Sequence, residues 1–529
     1  MSTFPYLTVL GVLPLVGAVL VAVVPSSRPV LVKQVALATS LVVLVLTVVM
    51  CASFDPGGPR FQFVQAHDWI TTFGVQYAVG ADGIALVLIA LVAVLVPVVL
   101  LASWADADAD ADVDSDPDRD ADPGREGRRS VKTFFGLLLL LETMLIGVFA
   151  ATDLFLFYVF FEAMLIPMYF LIGQFGGPKR SYAAVKFLLY SLFGGLLMLA
   201  AVIGLYVVST RQGPGTFNFA RLVALDISEP VQIALFLGFF VAFAIKAPLF
   251  PFHTWLPDAG AEAPIGGAVL LVGVLDKVGT FGFLRYCLPL FPDAARDLAP
   301  YVVTLSVIGI LYGALLAMGQ KDLKRLVSYT SVAHFGFIGL GCFAFTSQGG
   351  TGAVLYMVNH GLSTGALFLV IGFLVARGRS RLSGDYSGIG KVAPVLAGVF
   401  LLAGLSSLAL PGLSTFVSEF LVLVGTFTRY KVAAVLATVG IILAALYILL
   451  MYQRTMQGPL SAAHARMRDL RPREVLAVAP LLALMIFLGV YPKPLTDVIT
   501  PAINATMNDV GVHDPTPTQP GVTAVPESR

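Results

Sequence analysis

Apolar runs of about twenty residues, separated by short polar stretches, recur along nearly the whole chain, and each is long enough to cross a bilayer as a helix. The pattern predicts spans near 5–24, 30–53, 82–103, 131–149, 151–173, 182–209, 231–255, 263–287, 300–318, 326–346, 352–376, 392–426, 432–453 and 474–491. The segment 392–426 is long for one crossing and contains LPGLS at 410–414, which predicts a broken helix. One stretch departs from the helical pattern. FQFVQAHDWITTFGVQYAVGADG alternates apolar and polar residues, so it predicts a short external hairpin, with His67 outside any functional site. The expected fold is an all-α polytopic membrane protein.

Composition agrees. The 529 residues are 57% hydrophobic and 12% charged, against about 25% charged in an ordinary soluble domain. Mean hydropathy is +0.88. The start, MSTFPYLTVLGVLPLVGAVLVAVV, lacks a basic leader region and a small-residue cleavage site, so it reads as a retained first span. Formal net charge is +1, which leaves no nucleic-acid footprint. Cys51, Cys287 and Cys342 are far apart and form no C-x-x-C, which argues against an iron–sulfur, zinc or disulfide framework. No P-loop and no strand-borne G-x-G-x-x-G occurs. No metal or cofactor is therefore expected on this chain; if it belongs to a redox enzyme, the redox groups sit on other subunits.

Lysines and arginines cluster in alternate loops. Lys179-Arg180, Lys321/Lys324/Arg325, Arg377/Arg379/Arg381 and Arg466/Arg468/Arg471/Arg473 all fall on the side opposite the termini. The positive-inside rule puts those loops in the cytoplasm and both termini outside. The loop WADADADADVDSDPDRDADPGREGRR, 104–129, has aspartate at every even position from Asp106 to Asp122. Dense carboxylates attract hard cations, but this spacing matches no EF-hand, and a solvated, self-repelling cytoplasmic linker is the expectation. The polar, proline-rich stretch from about 494 is expected to be a flexible tail.

Ionisable residues inside spans are the candidate chemistry. They are Glu142, Asp153, Glu162, Lys186, Lys246, Asp276, Lys277, His334, His360 and Glu419. Carboxylates, amines and imidazoles on separate helices can pass a proton along without metal or cofactor, once burial and neighbours bring their affinities together. The competing reading is a set of buried ion pairs that fix helix packing. Lys186 is expected to snorkel toward the interface, Asp153 to have a structural role near a span end, and His253 either to gate hydration or to cap backbone. His464 and His513 lie outside the spans.

The passage FAIKAPLFPFHTWLPDAGAEAP, 243–264, carries the most information. Lys246 is followed by Pro248 and Pro251, each of which removes a helix donor. Carbonyls freed at membrane depth must line a cavity or find partners in protein. The second interrupted span, SSLALPGLSTFVSEFLVL, carries Glu419 just past its break. Two broken spans five apart, each with one ionisable residue, suggest two inverted five-helix repeats.

This passage resembles the signature of the antiporter-like membrane subunits of respiratory complex I and of Mrp-type cation/proton antiporters. DLFLFYVFFEAMLIPMYFLIG, GVLDKVGTFGFLRY, QKDLKRLVSYTSVAHFGFIGLG and VNHGLSTGALFLVIG match as well, so the likeness covers most of 80–425. The nearest resemblance is to the M-type subunits. L-like, N-like and Mrp proteins typically carry lysine where this chain has Glu419, and the L-like ones end in a long lateral helix. The resemblance implies a proton-translocating subunit of NADH:quinone oxidoreductase. It makes Glu162 the essential carboxylate of the fifth span, Lys246 its partner, and Lys277 the central lysine. It makes His334 and His360 relay histidines, and Glu419 the terminal carboxylate. Glu142, His253, Lys186 and Asp276 are secondary candidates.

The resemblance further implies NADH, FMN, iron–sulfur clusters and quinone on other subunits. The implied partners are L-like and N-like antiporter subunits, small membrane subunits and phospholipids, in a bacterial plasma membrane. The chain departs from the family pattern at Gly260, where a second histidine is common. It also departs at Asp276, a position that is usually apolar. At 100° per residue in an α-helix, Asp276 is expected to point away from Lys277. An Mrp-type sodium/proton antiporter subunit and a membrane subunit of an energy-converting hydrogenase are the alternatives. The expected divisions are 1–103 (three spans and hairpin), 104–130 (Asp-rich loop), 131–287 and 299–456 (two repeats), and 457–529 (last span and tail).

Overall fold

The computed structural model describes residues 4–105 and 130–514. The Asp-rich loop, and with it the question of a bound cation, lies outside the described residues. Among these, thirteen helices are long and apolar enough to cross a membrane. In chain order the helices are α1 (Tyr6–Val23), α2 (Pro29–Ala52), α3 (Gly83–Ala102), α4 (Val131–Ala150), α5 (Leu154–Phe175), α6 (Arg180–Gln212) and α7 (Glu229–Lys246). Then follow α8 (Leu256–Glu262), α9 (Ile265–Leu290), α10 (Pro292–Met318), α11 (Leu323–Phe343) and α12 (Ser347–Gly378). The predicted long span is two half-helices, α13 (Pro394–Ser407) and α14 (Ser414–Phe427). The chain ends with α15 (Lys431–Met456), α16 (Pro472–Val490) and α17 (Lys493–Val510).

The helices differ in what they face. In α9, α11 and α12 nearly every residue of the apolar stretch is buried, so they form the centre of the bundle. In α1, α2, α15 and α16 about two thirds or more of that stretch faces outward, as expected of helices bordering lipid or neighbouring chains. Three of the candidate relay residues, Lys277, His334 and His360, sit on the central trio.

The hairpin forms as predicted, with β1 (Gln62–Ile70) antiparallel to β2 (Val75–Ala81). It caps the α4–α5 turn, where Thr152 N–H donates to the Ala78 carbonyl at 2.9 Å. Asp153 is the N-cap of α5. Its Oδ1 accepts from the Phe155 and Leu156 amides at 3.0 Å each, and its Oδ2 accepts from the Gln76 amide at 3.1 Å. Burial pushes this carboxyl above its ordinary range, although the three amides oppose the shift.

The tail differs from expectation. Residues 493–510 are helical, because Ile499, Ala502, Ile503, Thr506, Met507 and Val510 recur at helical spacing and form one buried stripe. That stripe packs on α3 and α12, and Arg60 Nη1 of the hairpin loop holds Asp509 Oδ2 at 2.5 Å.

Candidate functional site: a buried file of ionisable groups

Lys246 ends α7 and is fully buried. Its ammonium has no hydrogen-bond acceptor among the described residues. It lies 4.7 Å from the centre of the Phe161 ring and 5.9 Å from that of Phe187, which gives it cation–π contacts instead. The Glu162 carboxylate acts on it electrostatically without forming a direct ion pair. The helix stops at Lys246 because Pro248 cannot donate to the Ala244 carbonyl. Leu249 N–H takes that carbonyl at 3.0 Å. The freed Ile245 carbonyl is closed by the Trp255 indole Nε1–H at 2.8 Å. The Phe250–Pro251 peptide within the break is cis.

Glu162 lies one turn before Pro167, where α5 loses a backbone bond and is interrupted at Met164. Its carboxylate occupies the surface of α6 above Gly195, where an added Cβ would fall 1.6 Å from Oε1. Glu142 on α4 is fully buried, and neither of its carboxylate oxygens has a hydrogen-bond partner among the described residues. Glu142 is eight residues before the end of α4 at Ala150, and Glu162 eight after the start of α5 at Leu154. At about 1.5 Å per residue both carboxylates sit some 12 Å from the turn, at similar depth.

Lys277 is in the middle of α9, which is not a regular α-helix. Leu271–Leu275 and Phe283–Cys287 are π-helical, a distortion frequent at functional sites. The Lys277 ammonium contacts three groups: the Val272 carbonyl, Asp276 Oδ1 at 3.0 Å and His360 Nδ1 at 2.7 Å. Asp276 was expected to point away. The wider π turn just before it, with Asp276 N–H bonded to the Leu271 carbonyl, breaks the 100° spacing. The flexible lysine then folds back, so the two charges pair. Gly279 lets α9 approach the first break backbone to backbone, since a Cβ there would meet the Ala247 nitrogen at 2.5 Å.

From Lys277 the file continues. The His360 and His334 rings are 5.2 Å apart, and the Tyr356 ring is 5.8 Å from His334. Tyr356 O–H donates to Glu419 Oε2 at 3.1 Å. All five side chains are buried. His334 approaches the main chain at Ser407, the end of α13. At that second break the Thr415 hydroxyl closes the Ser406 carbonyl, and Asn359 Nδ2 donates to the Ser414 carbonyl at 2.7 Å.

The remaining candidates gather at the other end of the first break. Lys186 does not simply snorkel. Its Nζ pairs with Asp258 Oδ2 at 2.7 Å, and Arg325 Nη1 takes Oδ1 of the same carboxylate at 2.6 Å. His253 is buried between Phe250, stacked at 6.0 Å, and Tyr312, edge-on at 5.3 Å. Gly260 has no room for a larger side chain without movement of Ser328, whose Oγ lies 2.4 Å from an added Cβ.

A family profile described as "NADH:quinone oxidoreductase/Mrp antiporter, TM" matches residues 151–444. An NADH-quinone oxidoreductase subunit M from Mycobacterium tuberculosis is 52% identical over 98% of this chain and 96% of its own length. The chain belongs to the NADH-quinone oxidoreductase subunit M family. The subunit M of Rhodobacter capsulatus is 38% identical over 94% of this chain and 95% of its own. Among solved structures, a chain of respiratory complex I from Thermus thermophilus superposes with a TM-score of 0.84 at 32% identity, covering 96% of this chain and all of that one. A chain of the Mrp complex from Dietzia shares the fold, with a TM-score of 0.81 at 21% identity. A proton-translocating membrane subunit of complex I is therefore what this sequence encodes.

Sequence reasoning missed several participants in this subunit M fold. Tyr356 and Asn359 passed as ordinary polar residues of an apolar span. Their spacing of four and one residues before His360 was the available signal, because it places Tyr356 on the histidine's face. Asp258 was visible in the quoted motif, but its two cations come from distant helices. Arg285 and Asp82 form a fully buried pair at 2.7 Å, with the guanidinium over Phe61 at 4.7 Å.

Proposed function

We propose that this chain conducts protons through the file Glu162, Lys246, Lys277, His360, His334 and Glu419, and carries no redox chemistry itself. The observation that supports it is the succession of buried polar groups from Asp276–Lys277 to Glu419, hydrogen-bonded at both ends and in ring contact between them. Lys246 holds its charge through Glu162. When Glu162 is protonated or moves off Gly195, the buried ammonium loses its compensating charge and releases its proton. The proton reaches Lys277 across the Gly279 contact, then passes along the histidines to Glu419 and outward. NADH, FMN, iron–sulfur clusters and quinone would reside on other subunits, with L-like and N-like neighbours in the membrane. The basic loops would face the cytoplasm of a bacterial plasma membrane, and both termini the outside.

The test is Glu162→Ala in the assembled complex, reconstituted in liposomes. Proton uptake driven by NADH is expected to vanish while assembly persists. Unimpaired pumping by that variant would refute the assignment. A mass-spectrometric inventory of the intact complex should find flavin- and iron–sulfur-binding companions.

A further inference from the structure

We infer that the Tyr356 hydroxyl is the proton-carrying link between the histidine pair and Glu419. The inference rests on the relay reading above and adds a member to it. Tyr356 stands between His334 and Glu419: its ring lies edge-on to the imidazole, centroids 5.8 Å apart, and its hydroxyl oxygen is 3.1 Å from the carboxylate. Among the described residues neither nitrogen of the buried His334 has a side-chain hydrogen-bond partner. The Glu419 carboxylate accepts this bond from Tyr356, and the Tyr447 hydroxyl nearby makes none among the described residues.

A hydroxyl donates one proton and accepts on two lone pairs, and its proton rotates freely. An N–H proton of protonated His334 passes to a bridging water, which gives a proton to the phenol oxygen as the phenol's own O–H proton passes to Glu419 Oε2. The imidazole ends neutral, the carboxylate ends protonated, and the tyrosine is regenerated as a neutral phenol. Rotation of its O–H then resets it for the next transfer. Phenylalanine preserves the ring packing, which includes the stack on Phe337 at 6.2 Å, and removes only the oxygen.

The experiment compares Tyr356→Phe, Tyr447→Phe and Glu419→Gln in the intact complex in liposomes. It reads the pumping rate and the infrared carboxylic-acid band that Glu419→Gln abolishes. Tyr356→Phe is expected to slow pumping roughly three- to tenfold, the scale of one hydrogen bond's net contribution, and to displace the Glu419 band. Tyr447→Phe is expected to change neither. Unchanged pumping and an unchanged band in Tyr356→Phe, with Glu419→Gln impaired, would overturn the tyrosine link and leave the relay standing. Normal pumping in Glu419→Gln would remove the relay reading, and this link with it. If Tyr356→Phe fails to assemble, 3-fluorotyrosine at position 356 decides. It keeps the shape and makes the phenol more acidic, so an altered pumping rate supports the link and an unaltered one overturns it.

Discussion

The two broken spans differ in how they treat their charge. At the first, Lys246 stands at the last residue of α7, with no hydrogen-bond acceptor among the described residues and two aromatic rings against it. At the second, Glu419 lies within α14, past the break, and receives a phenolic hydrogen bond. The sign of each charge suits its half-helix. A helix C-terminus carries partial negative charge and favours a cation, and an N-terminus favours an anion. The effect fades beyond the first or last turn, so Lys246 depends on it more than Glu419, which is five residues into α14. The first break thus exposes a sparsely supported cation that a neighbouring carboxylate can control. The second holds a well-supported carboxylate that suits a terminal station.

The comparison can be broken most directly at the charges. Lys246→Gln removes the charge at the end of α7 and should cut pumping by roughly a hundredfold, as for loss of a proton-transfer group. Glu419→Gln keeps the Tyr356 hydrogen bond, but its amide cannot take up the proton; because water can replace a terminal station at the exit, the loss should be smaller, about tenfold. Paired liposome assays would expose the asymmetry, and equal losses would remove it. A smaller effect lies in the backbone closure. Trp255→Phe leaves the buried Ile245 carbonyl unpaired and should destabilise the subunit by about 1–3 kcal/mol. Thr415→Val opens the Ser406 carbonyl and should cost about 1 kcal/mol, because a smaller group is lost. Thermal unfolding of the purified complex would rank the two. Smallest is Asp258→Asn. It weakens two partly exposed pairs, at 2.7 and 2.6 Å, and exposed ion pairs contribute less than about 1 kcal/mol each. A large loss there would mean that the Lys186–Asp258–Arg325 bridge controls access to the first break.

The spans were legible because a bilayer imposes one length and one composition on every crossing. Both breaks were legible because proline inside an apolar run, beside Lys246 at the first and followed by Gly412 at the second, has few other readings. The α17 helix was not, although its apolar residues keep helical spacing. Its exposed face is polar and contains Pro501, and only packing on α3 and α12 tells such a sequence from a loose tail. The Asp276–Lys277 pair was misjudged for a local reason. An ideal α-helix separates adjacent side chains, and nothing in GVLDKVG announces the π turn that precedes them. Tyr356 and Asp258 depend on partners 63 and 67–72 residues away, a distance at which one sequence carries no pairing information.

Gly195 gives the first break a further dependence. The atom that matters there is a missing one, since the carboxylate of Glu162 occupies the volume that any other amino acid's Cβ would fill. Residue 195 has no charge, proton or hydrogen bond to contribute, yet it decides where the charge partner of Lys246 can stand. The proton path therefore has a member with no side chain, one that a search for ionisable groups passes over and a single added methyl group would evict.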